Sequence, residues 1–468
     1  MRLSRIPLLL ATVPLAAGLL AAPATAAPAP AAAPSSGPDR HCAGEGRIDV
    51  PGAEEQKTAC LDDLTTTGTT VSGHTNVADW EGLQAPGTPT PSGVPGIQVD
   101  GYFPDSSTSN TNNGWDHDSQ FVLRVPDDWN GGLVVSGAPG TRRQYANDFV
   151  IGDRVLARGF AFAATDKGNN GAAFYDDGSA PGGSIREWHR RVTQLARAAK
   201  VAVEQRYGRA PRHTYMAGIS NGGYLVRWQL ENRPGLYDGG LDWEGTLFRA
   251  AGPNLLTYLP TALREYPTYA AGGPGAEQAE RRMLRAGFEP GSQFLWEYHY
   301  GVYWDLTQRV YREELDPTYD GDLEAGVPFC RPGTPRCDAD YDYADRPREV
   351  REAVRSVQLT GRIRKPLLTV HGTLDTLLPP DTAGRAYERL VRRAGAGRLH
   401  RSYEIEDGTH VDSLYATYPD RLRPILPCAT RAFDRLVAWV EDAKAPPASG
   451  FVDRPQRDDL RTGCSLQQ

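Results

Sequence analysis

The sequence carries no excess of positive charge. Lys and Arg total 51 against 58 Asp and Glu, which gives a formal net charge of −7 over 468 residues. Nucleic acids and anionic membranes attract basic patches, and a chain with this balance has no net field that would steer it toward either. We therefore expect no nucleic acid among its partners. With 40% hydrophobic and 23% charged residues, the composition is that of a globular protein with one large domain or two smaller ones.

Long apolar runs are also missing beyond the first twenty residues, where no stretch reaches the ~18 uninterrupted apolar residues of a transmembrane helix. We expect no stable membrane insertion. The first residues have instead the three parts of a signal peptide, namely a basic start, an apolar run and a small-residue cleavage motif: Arg2 and Arg5, residues 6–20, and Ala24-Thr25-Ala26. A membrane anchor is the alternative, but the apolar run is short and is followed at once by Pro and Ala.

These features predict a secreted protein. Residues 1–26 are the expected signal peptide, so that the mature chain begins at Ala27. Residues 27–40 are rich in Ala and Pro and have little to bury, which is typical of a disordered spacer.

The six cysteines lack the close C-x-x-C pairs and the accompanying histidines of a zinc site, so we expect no metal. A polar loop with Asp166, Asp176 and Asp177 lacks the ordered ligand spacing of a calcium site, and we interpret it as a solvated loop. An even number of cysteines in an exported chain predicts three disulfides, although six cysteines allow 15 pairings. We expect neighbours to pair, as Cys42–Cys60, Cys330–Cys337 and Cys428–Cys464.

Ser220 lies in the setting of a nucleophile elbow. A short β-forming run at 215–217 precedes the sequence Gly218-Ile219-Ser220-Asn221-Gly222, and a helical pattern follows at 224–230. Glycine is required on both sides of such a serine because neighbouring backbone passes close by. The turn exposes the hydroxyl beside the first amides of a helix, which favour negative charge. A glycine-rich structural turn is the alternative, since short Gly/Ser patterns also arise by chance.

Strand and helix patterns alternate on both sides of this turn. The clearest helix spans 184–207 and ends at Gly208, and strands are predicted at 121–125, 133–135, 160–164, 366–370 and 401–405. Such alternation predicts an α/β fold, with a mostly parallel sheet covered by helices on both faces. We expect the first two of these strands to form an antiparallel entry into that sheet.

This pattern divides the chain into segments. We expect a core made of 119–253 and 366–445, an irregular or short-stranded N-terminal extension over 41–118, and a polar C-terminal tail over 446–468.

Between the two core segments, residues 254–365 show no strand patterns. Helical patterns at 276–287 and 294–314 dominate there, and we interpret the insertion as a helical lid over the sheet. Its aromatic stretch either packs its rings against the core or lines a substrate pocket. For the second case, the pocket residues we assign are Trp296, Tyr300 and Trp304, with Glu244 from the core.

Three functional side chains each follow a strand, which in a parallel sheet brings them to one edge. They are Ser220, Asp375 and His410, in the chain order Ser, Asp, His. In this arrangement Ser220 attacks a carbonyl carbon and His410 takes its proton and returns it to the leaving group. Asp375 accepts a hydrogen bond from the other imidazole nitrogen.

An oxyanion hole is expected next to the serine. One donor is the backbone N–H of Asn221, and the second comes from the loop after the strand at 133–135. Since Pro139 has no N–H, we assign Ala138, with Gly140 as the alternative.

Other residues could take these roles. His371 also ends a strand, but it precedes the candidate acid, and a structural role is expected. Asp242 or Glu244 could supply the acid instead of Asp375, and Asp412 could hydrogen-bond locally near His410.

Three motifs together resemble the α/β-hydrolase superfamily, over about residues 121–445: Gly218-Ile219-Ser220-Asn221-Gly222-Gly223, His371-Gly372-Thr373-Leu374-Asp375 and Gly408-Thr409-His410. Within it, the chain is similar to secreted serine esterases of the tannase/feruloyl-esterase or hydroxybutyrate-oligomer-hydrolase kind, whose lid the insertion resembles. Tannase-like enzymes carry cysteines beside the nucleophile and the catalytic histidine, where this chain has Ile219 and Val411. The loop 136–140 also resembles the His-Gly-Gly-Pro-Gly loop of proline-type aminopeptidases, with Ser136 in place of histidine.

The residues and the resemblance predict a secreted carboxylic-ester hydrolase that works through an acyl-enzyme without a cofactor. Its expected partner is a small-molecule or oligomeric ester. One alternative is a secreted exopeptidase, in which Glu244, Glu297 or Asp305 would bind a free amino terminus. The other is a binding protein on a hydrolase scaffold without catalysis.

Overall fold

The computed structural model describes residues 48–72, 79–319, 338–456 and 459–466. Within these ranges, ten strands form one sheet in the order β1-β2-β3-β5-β4-β6-β7-β8-β9-β10. The strands are β1 Glu55–Leu61, β2 Gly96–Tyr102, β3 Gln120–Pro126, β4 Gly132–Gly137, β5 Ala161–Thr165, β6 His213–Ile219, β7 Gly239–Trp243, β8 Leu367–Gly372, β9 His400–Ile405 and β10 Gly450–Val452.

Helices connect and cover these strands. They are α1 Thr66–Ser72, α2 Asp153–Leu156, α3 Gly183–Tyr207, α4 Asn221–Asn232, α5 Leu255–Ala271, α6 Ala276–Arg285, α7 Trp296–His299, α8 Asp305–Leu315, α9 Arg348–Val357, α10 Gly384–Arg393 and α11 Leu426–Asp442. π-Helical turns at Asp148–Gly152 and Tyr300–Trp304 lead into α2 and α8.

The sheet is parallel from β5 to β10 and antiparallel from β1 to β5. This confirms the predicted α/β fold with a mostly parallel sheet. The entry into the sheet differs from the prediction, because β3 and β4 are not neighbours. The connection between them steps over one strand position, which β5 fills by pairing antiparallel with β3 and parallel with β4.

The two ends of the described chain extend the same sheet. The N-terminal extension was expected to be irregular or short-stranded, yet β1 and β2 each pair over seven residues at one edge. At the other edge, β10 of the C-terminal tail pairs parallel with β9.

The central strands are apolar on both sides because helices cover both faces. In β4, Leu133 and Val135 face α3 and α4, whereas Val134 points to the opposite face, toward α2 and α11. Continuous apolar runs are typical of parallel strands buried on both faces. The carboxyl ends of these strands therefore form the polar edge at which loops carry side chains.

Residues 254–365 follow β7 and precede β8, so they are an insertion between two adjacent parallel strands. Two of its helices, α5 and α9, lie outside the helical segments predicted from the sequence. The predicted segment 294–314 corresponds to a nearly continuous helical run over 293–315.

One predicted disulfide is confirmed. Cys428 in α11 bonds to Cys464 in the tail, with a Cα–Cα distance of 4.9 Å. Cys60 is also disulfide-bonded. The other cysteines of the predicted pairs, Cys42, Cys330 and Cys337, lie outside the described residues, as do the predicted signal peptide and spacer. No helix in the described part of the chain has both the length and the apolar character needed to cross a membrane.

Candidate active site

Ser220 occupies a sharp turn between β6 and α4. Its backbone has φ 58° and ψ −119°, a conformation that costs a non-glycine residue free energy. Two backbone hydrogen bonds hold the turn: the Ser220 N–H donates to the Trp243 carbonyl, and the Tyr224 N–H donates to the Ser220 carbonyl, each at 2.9 Å. The strain is thus maintained by β7 on one side and by the first turn of α4 on the other.

Glycine is required at two positions around the serine. A Cβ on Gly218 would lie 2.4 Å from the carbonyl carbon of Gly222. A Cβ on Gly222 would lie 2.6 Å from the carbonyl oxygen of Gly137. Both contacts involve backbone, which has no flexible end to move away, so a side chain at either position would displace the elbow.

The loops after β6, β8 and β9 bring three side chains into one hydrogen-bonded row. His410 Nε2 lies 3.1 Å from Ser220 Oγ, and His410 Nδ1 lies 2.8 Å from Asp375 Oδ2. Ser220 is half-buried, whereas His410 and Asp375 are buried. This geometry suits a hydroxyl that gives its proton to an imidazole oriented by a carboxylate.

Asp375 is held in place as an anion. Its Oδ1 accepts hydrogen bonds from the N–H groups of Leu377 and Leu378, both at 2.8 Å. Burial alone would raise the pKa of Asp375, but the neighbouring His410, as a charge and as a hydrogen-bond donor, brings that pKa below its ordinary value. The carboxylate is therefore ionised and able to stabilise an imidazolium.

Glu244, at the end of β7, is a second carboxyl beneath the same imidazole. Its Oε2 lies 3.8 Å from His410 Nδ1 and accepts a hydrogen bond from Trp243 Nε1 at 3.1 Å. Its Oε1 accepts from the Gly372 N–H at 2.8 Å. Burial and the charge on Asp375 raise the pKa of Glu244 well above its ordinary value. The surroundings of Glu244 thus favour its neutral form, and its burial in the protein interior corrects its predicted place in a substrate pocket.

Glu244, Asp375 and His410 also have ligand atoms that all lie within 4.8 Å of one another, and no other such group of His, Cys, Asp or Glu occurs in the described part of the chain. A metal ion bound there would take the Nδ1 that His410 shares with Asp375. It would also require Glu244 to ionise in a site that opposes its ionisation. These three side chains are therefore better suited to acid–base chemistry at His410 than to binding a metal ion.

Solved structures with this fold carry the same architecture. The chain matches a tannin acyl hydrolase from Aspergillus niger with a TM-score of 0.55 at 14% identity, over 85% of each chain. It matches feruloyl esterase B from Aspergillus oryzae with a TM-score of 0.52 at 13% identity, over 85% of this chain and 89% of the other. These likenesses show that the chain has the α/β-hydrolase fold.

Two family models match separate parts of the chain. The model of tannase and feruloyl esterase matches residues 107–242, and that of 3HB-oligomer hydrolase matches residues 337–463. The first match contains Ser220, and the second contains Asp375 and His410. Both descriptions agree with the resemblance predicted from the sequence motifs.

Two relatives also match over short segments. Mono(2-hydroxyethyl) terephthalate hydrolase of Piscinibacter sakaiensis is 30% identical over 139 residues, which are 27% of this chain and 23% of the relative. D-(−)-3-hydroxybutyrate oligomer hydrolase of Polaromonas naphthalenivorans is 36% identical over 104 residues, 22% of this chain and 14% of the relative. The matches therefore span less than a quarter of either relative. The printed names of these families and relatives are those of hydrolases and esterases.

The loop predicted to supply the second oxyanion donor does not have the Ala138 N–H available. The Ala138 N–H donates to the Thr165 carbonyl at 3.0 Å as part of the sheet, so it has no proton left for a substrate oxygen. Gly140, the alternative, has φ 49° and lies next to open space. Its carbonyl accepts from Asn221 Nδ2 at 3.1 Å, which holds this loop against the residue after the nucleophile.

The Asn221 side chain is fully occupied by protein contacts. Besides Gly140, its Nδ2 donates to the Tyr311 hydroxyl at 2.5 Å, and its Oδ1 accepts from Thr246 Oγ1 at 3.0 Å. As the first residue of α4, Asn221 keeps a backbone N–H without a partner inside the helix. Tyr311 was not singled out from the sequence, because only the packing of α8 brings it to the elbow.

The rival residues have structural partners. His371 Nε2 donates to the Leu378 carbonyl at 2.9 Å, and thus supports the loop that holds Asp375. Asp242 forms a buried ion pair with Arg227 at 2.7 Å. Asp412 accepts from two backbone N–H groups at the start of α11, and burial raises its pKa to about 7.

The aromatic side chains of the insertion mainly pack against one another. Trp296 is fully buried between Tyr269 and Phe288, which corrects its predicted place in the pocket. Tyr300 is half-buried at the start of the π-helical turn. Trp304 is buried and donates from Nε1 to the Thr376 carbonyl at 2.8 Å, so it ties the insertion to the loop after Asp375.

Substituting Gly218→Ala is expected to reduce activity at least about 100-fold, because the added Cβ meets backbone at 2.4 Å and displaces Ser220. Labelling by a fluorophosphonate probe and the thermal midpoint should fall together. The matched control is Gly235→Ala, since a Cβ there meets nothing within 4 Å. Equal labelling of the two variants would contradict this account of the elbow.

Proposed function

We propose that the chain is a serine hydrolase that cleaves carboxylic esters through an acyl-enzyme. The observation that carries this proposal is the row from Ser220 through His410 to Asp375, with hydrogen-bonding distances of 3.1 and 2.8 Å. The short matches to esterase families and relatives support the ester as the substrate class.

In the proposed reaction, Ser220 Oγ attacks the ester carbonyl while His410 Nε2 takes the hydroxyl proton. The resulting oxyanion is stabilised by the backbone N–H groups of Asn221 and Gly140. His410 then gives the proton to the leaving alcohol oxygen as the C–O bond breaks, which leaves an acyl group on Ser220. A water molecule repeats the attack with His410 as base, releasing the carboxylic acid and restoring the hydroxyl.

Glu244, a candidate for binding a free amino terminus in the peptidase alternative, is not suited to that role. A free amino terminus would need an accessible anion, and Glu244 is a neutral acid buried beneath His410. Asp305 is also buried, and it lies 3.8 Å from Arg309. Of the three candidate anions only Glu297 is exposed, and we favour esters over peptides with a free amino terminus.

The insertion serves in this proposal as a lid over the nucleophile. Tyr311 contacts Asn221 at the elbow, while Tyr258 and Trp304 donate to the Leu377 and Thr376 carbonyls. The insertion is thus anchored to both catalytic loops, which places it where it can restrict water and select substrates.

Export is part of the same proposal. A disulfide such as Cys428–Cys464 persists in oxidising compartments. Expression in a secreting bacterial host should give a mature chain that starts at Ala27, measured by intact mass and N-terminal sequencing. A variant carrying Ala24→Leu and Ala26→Leu should remain uncleaved. A released chain that still starts at Met1 would contradict the predicted signal peptide.

The central test is hydrolysis of p-nitrophenyl and hydroxycinnamate esters by the purified protein and by Ser220→Ala. We expect turnover by the parent and a loss of about 10⁴- to 10⁶-fold in kcat for the variant, because the nucleophile is removed. Matched amide substrates serve as the comparison for a peptidase.

Other outcomes would redirect the assignment. Fluorophosphonate labelling of Ser220 without ester turnover would move the assignment to peptides. Neither turnover nor labelling would leave a binding protein with a hydrolase fold. Full activity in Ser220→Ala would contradict the proposed nucleophile.

The two carboxyls near His410 should respond differently to substitution. Asp375→Asn removes the anion that stabilises the imidazolium and is expected to lower kcat by about 10³- to 10⁴-fold. Glu244→Gln replaces a group that is already neutral and should change kcat by less than about tenfold. Steady-state kinetics on one ester measures both. The reverse order of effects would assign the acid to Glu244.

A further inference from the structure

The two proposed oxyanion donors come from different parts of the chain. Asn221 begins α4 after β6, whereas Gly140 lies in the loop after β4. Donors of this kind stabilise an oxyanion only when each lies about 3 Å from the position that the charged oxygen will occupy. Some contact must therefore hold the loop of Gly140 at a fixed distance from the elbow.

The loop of Gly140 is a tight turn whose carbonyl groups are bound by other residues. The Arg142 N–H donates to the Pro139 carbonyl at 3.0 Å, which closes a four-residue turn. The Gly171 N–H donates to the Thr141 carbonyl at 2.8 Å. The position of the turn is therefore set by contacts to its carbonyl groups.

The carbonyl of Gly140 is bound by the Asn221 side chain, whose Nδ2 donates to it at 3.1 Å. A carbonyl can only accept, which fixes the amide nitrogen of Asn221 on this side. Asn221 thus supplies one proposed donor from its backbone and holds the residue of the other donor with its side chain. Because few torsions separate these two groups, the rotamer of Asn221 sets the spacing of the donors.

Two further hydrogen bonds fix that rotamer. Asn221 Nδ2 also donates to the Tyr311 hydroxyl at 2.5 Å, and Asn221 Oδ1 accepts from Thr246 Oγ1 at 3.0 Å. The Thr246 N–H donates to the Ser220 carbonyl at 3.3 Å, so Thr246 contacts both residues of the elbow. With both amide protons and the amide oxygen bonded, the buried Asn221 side chain is held in one orientation.

Tyr311 is itself held by packing between the insertion and the core. It lies in α8 and is buried. Its ring contacts those of Phe174, which precedes α3, and Phe248, which follows β7, with ring centroids 5.8 and 5.7 Å away. The hydroxyl of Tyr311 therefore meets Asn221 at a position that the packing defines.

We propose that Tyr311 is a positioning residue for the oxyanion hole, acting through the Asn221 side chain on the spacing of the two donors. The inference rests on the proposed ester hydrolysis. In this role Tyr311 does not touch the substrate: its hydroxyl holds the Asn221 amide, and the amide holds the Gly140 carbonyl. Because the oxyanion develops only in the transition state, a looser spacing lowers kcat and leaves KM nearly unchanged.

The test begins with Tyr311→Phe, which removes one hydroxyl and keeps the ring between Phe174 and Phe248. We expect kcat on a p-nitrophenyl ester to fall about 5- to 20-fold, with KM within about twofold of the parent value. Phenylboronic acid forms a tetrahedral adduct on Ser220 with an oxygen in the oxyanion hole, so its Ki should rise by a similar factor. Asn221→Ala removes the whole link and should lower kcat about 100-fold, as the loss of one oxyanion donor does.

A double variant tests whether the effect passes through Asn221. Adding Tyr311→Phe to Asn221→Ala should lower kcat by less than about twofold further, because the link is already absent. A further loss as large as that of Tyr311→Phe alone overturns the proposal. If Asn221→Ala does not fold, judged by its thermal midpoint, Thr246→Val replaces it. This variant removes the hydroxyl that bonds to Asn221 Oδ1 and should lower kcat about 3- to 10-fold at constant KM, and an unchanged kcat would contradict the proposal.

Two controls separate positioning from lost packing. Tyr343→Phe removes another buried hydroxyl of the insertion, which donates to the Ala250 carbonyl at 3.0 Å, and should lower the thermal midpoint without lowering kcat. Asn232→Ala removes an exposed asparagine at the other end of α4 and should match the parent in both. Equal losses of kcat in Tyr343→Phe and Tyr311→Phe would assign the effect to a general loosening of the insertion and overturn the proposal.

The failure of this inference is distinguishable from that of the proposed function. Hydrolysis that depends on Ser220 but keeps its kcat in Tyr311→Phe, or that responds only with a higher KM, overturns this inference alone. No ester hydrolysis by the parent overturns the proposed function and this inference together.

Discussion

The close approach of two backbone segments at Gly218 and Gly222 is the constraint on which the catalytic arrangement depends. It allows β6 to turn directly into α4, with Ser220 at a positive φ between them. The turn puts the hydroxyl at the carboxyl edge of the sheet, beside the first amides of the helix. Because β7 and α4 hold this conformation from both sides, the position of the Ser220 hydroxyl is set by the fold itself.

The same edge separates two buried carboxyls by their surroundings. Asp375 accepts two backbone N–H groups and faces His410, so it remains an anion. Glu244 has fewer compensating contacts and is opposed by the charge on Asp375, so it remains protonated. The pKa values of the two acids are shifted in opposite directions, which favours a single negative charge near the imidazole. The repulsion between two neighbouring carboxylates is thereby avoided.

The insertion is hydrogen-bonded to the loops that carry Ser220 and Asp375. Tyr311 supports the side chain of Asn221, and Trp304 and Tyr258 bond to the loop after Asp375. A movement of the insertion would therefore disturb both the elbow and the loop of the acid. Trp296 and Trp304 are buried within this linkage, whereas Tyr300 and Tyr303 are half-buried and Tyr298 is exposed.

The sequence by itself determined the alternation of strands and helices, the glycine-flanked serine and the chain order of Ser220, Asp375 and His410, because these depend on local periodicity and on close backbone contacts. Only the tertiary structure decided which atoms are free. The Ala138 N–H bonds to a neighbouring strand, and the Trp296 ring packs inside the insertion. Glu244 accepts a hydrogen bond from the Gly372 N–H in the protein interior. Pairing and burial depend on residues far apart in the chain, whose distances no local pattern specifies.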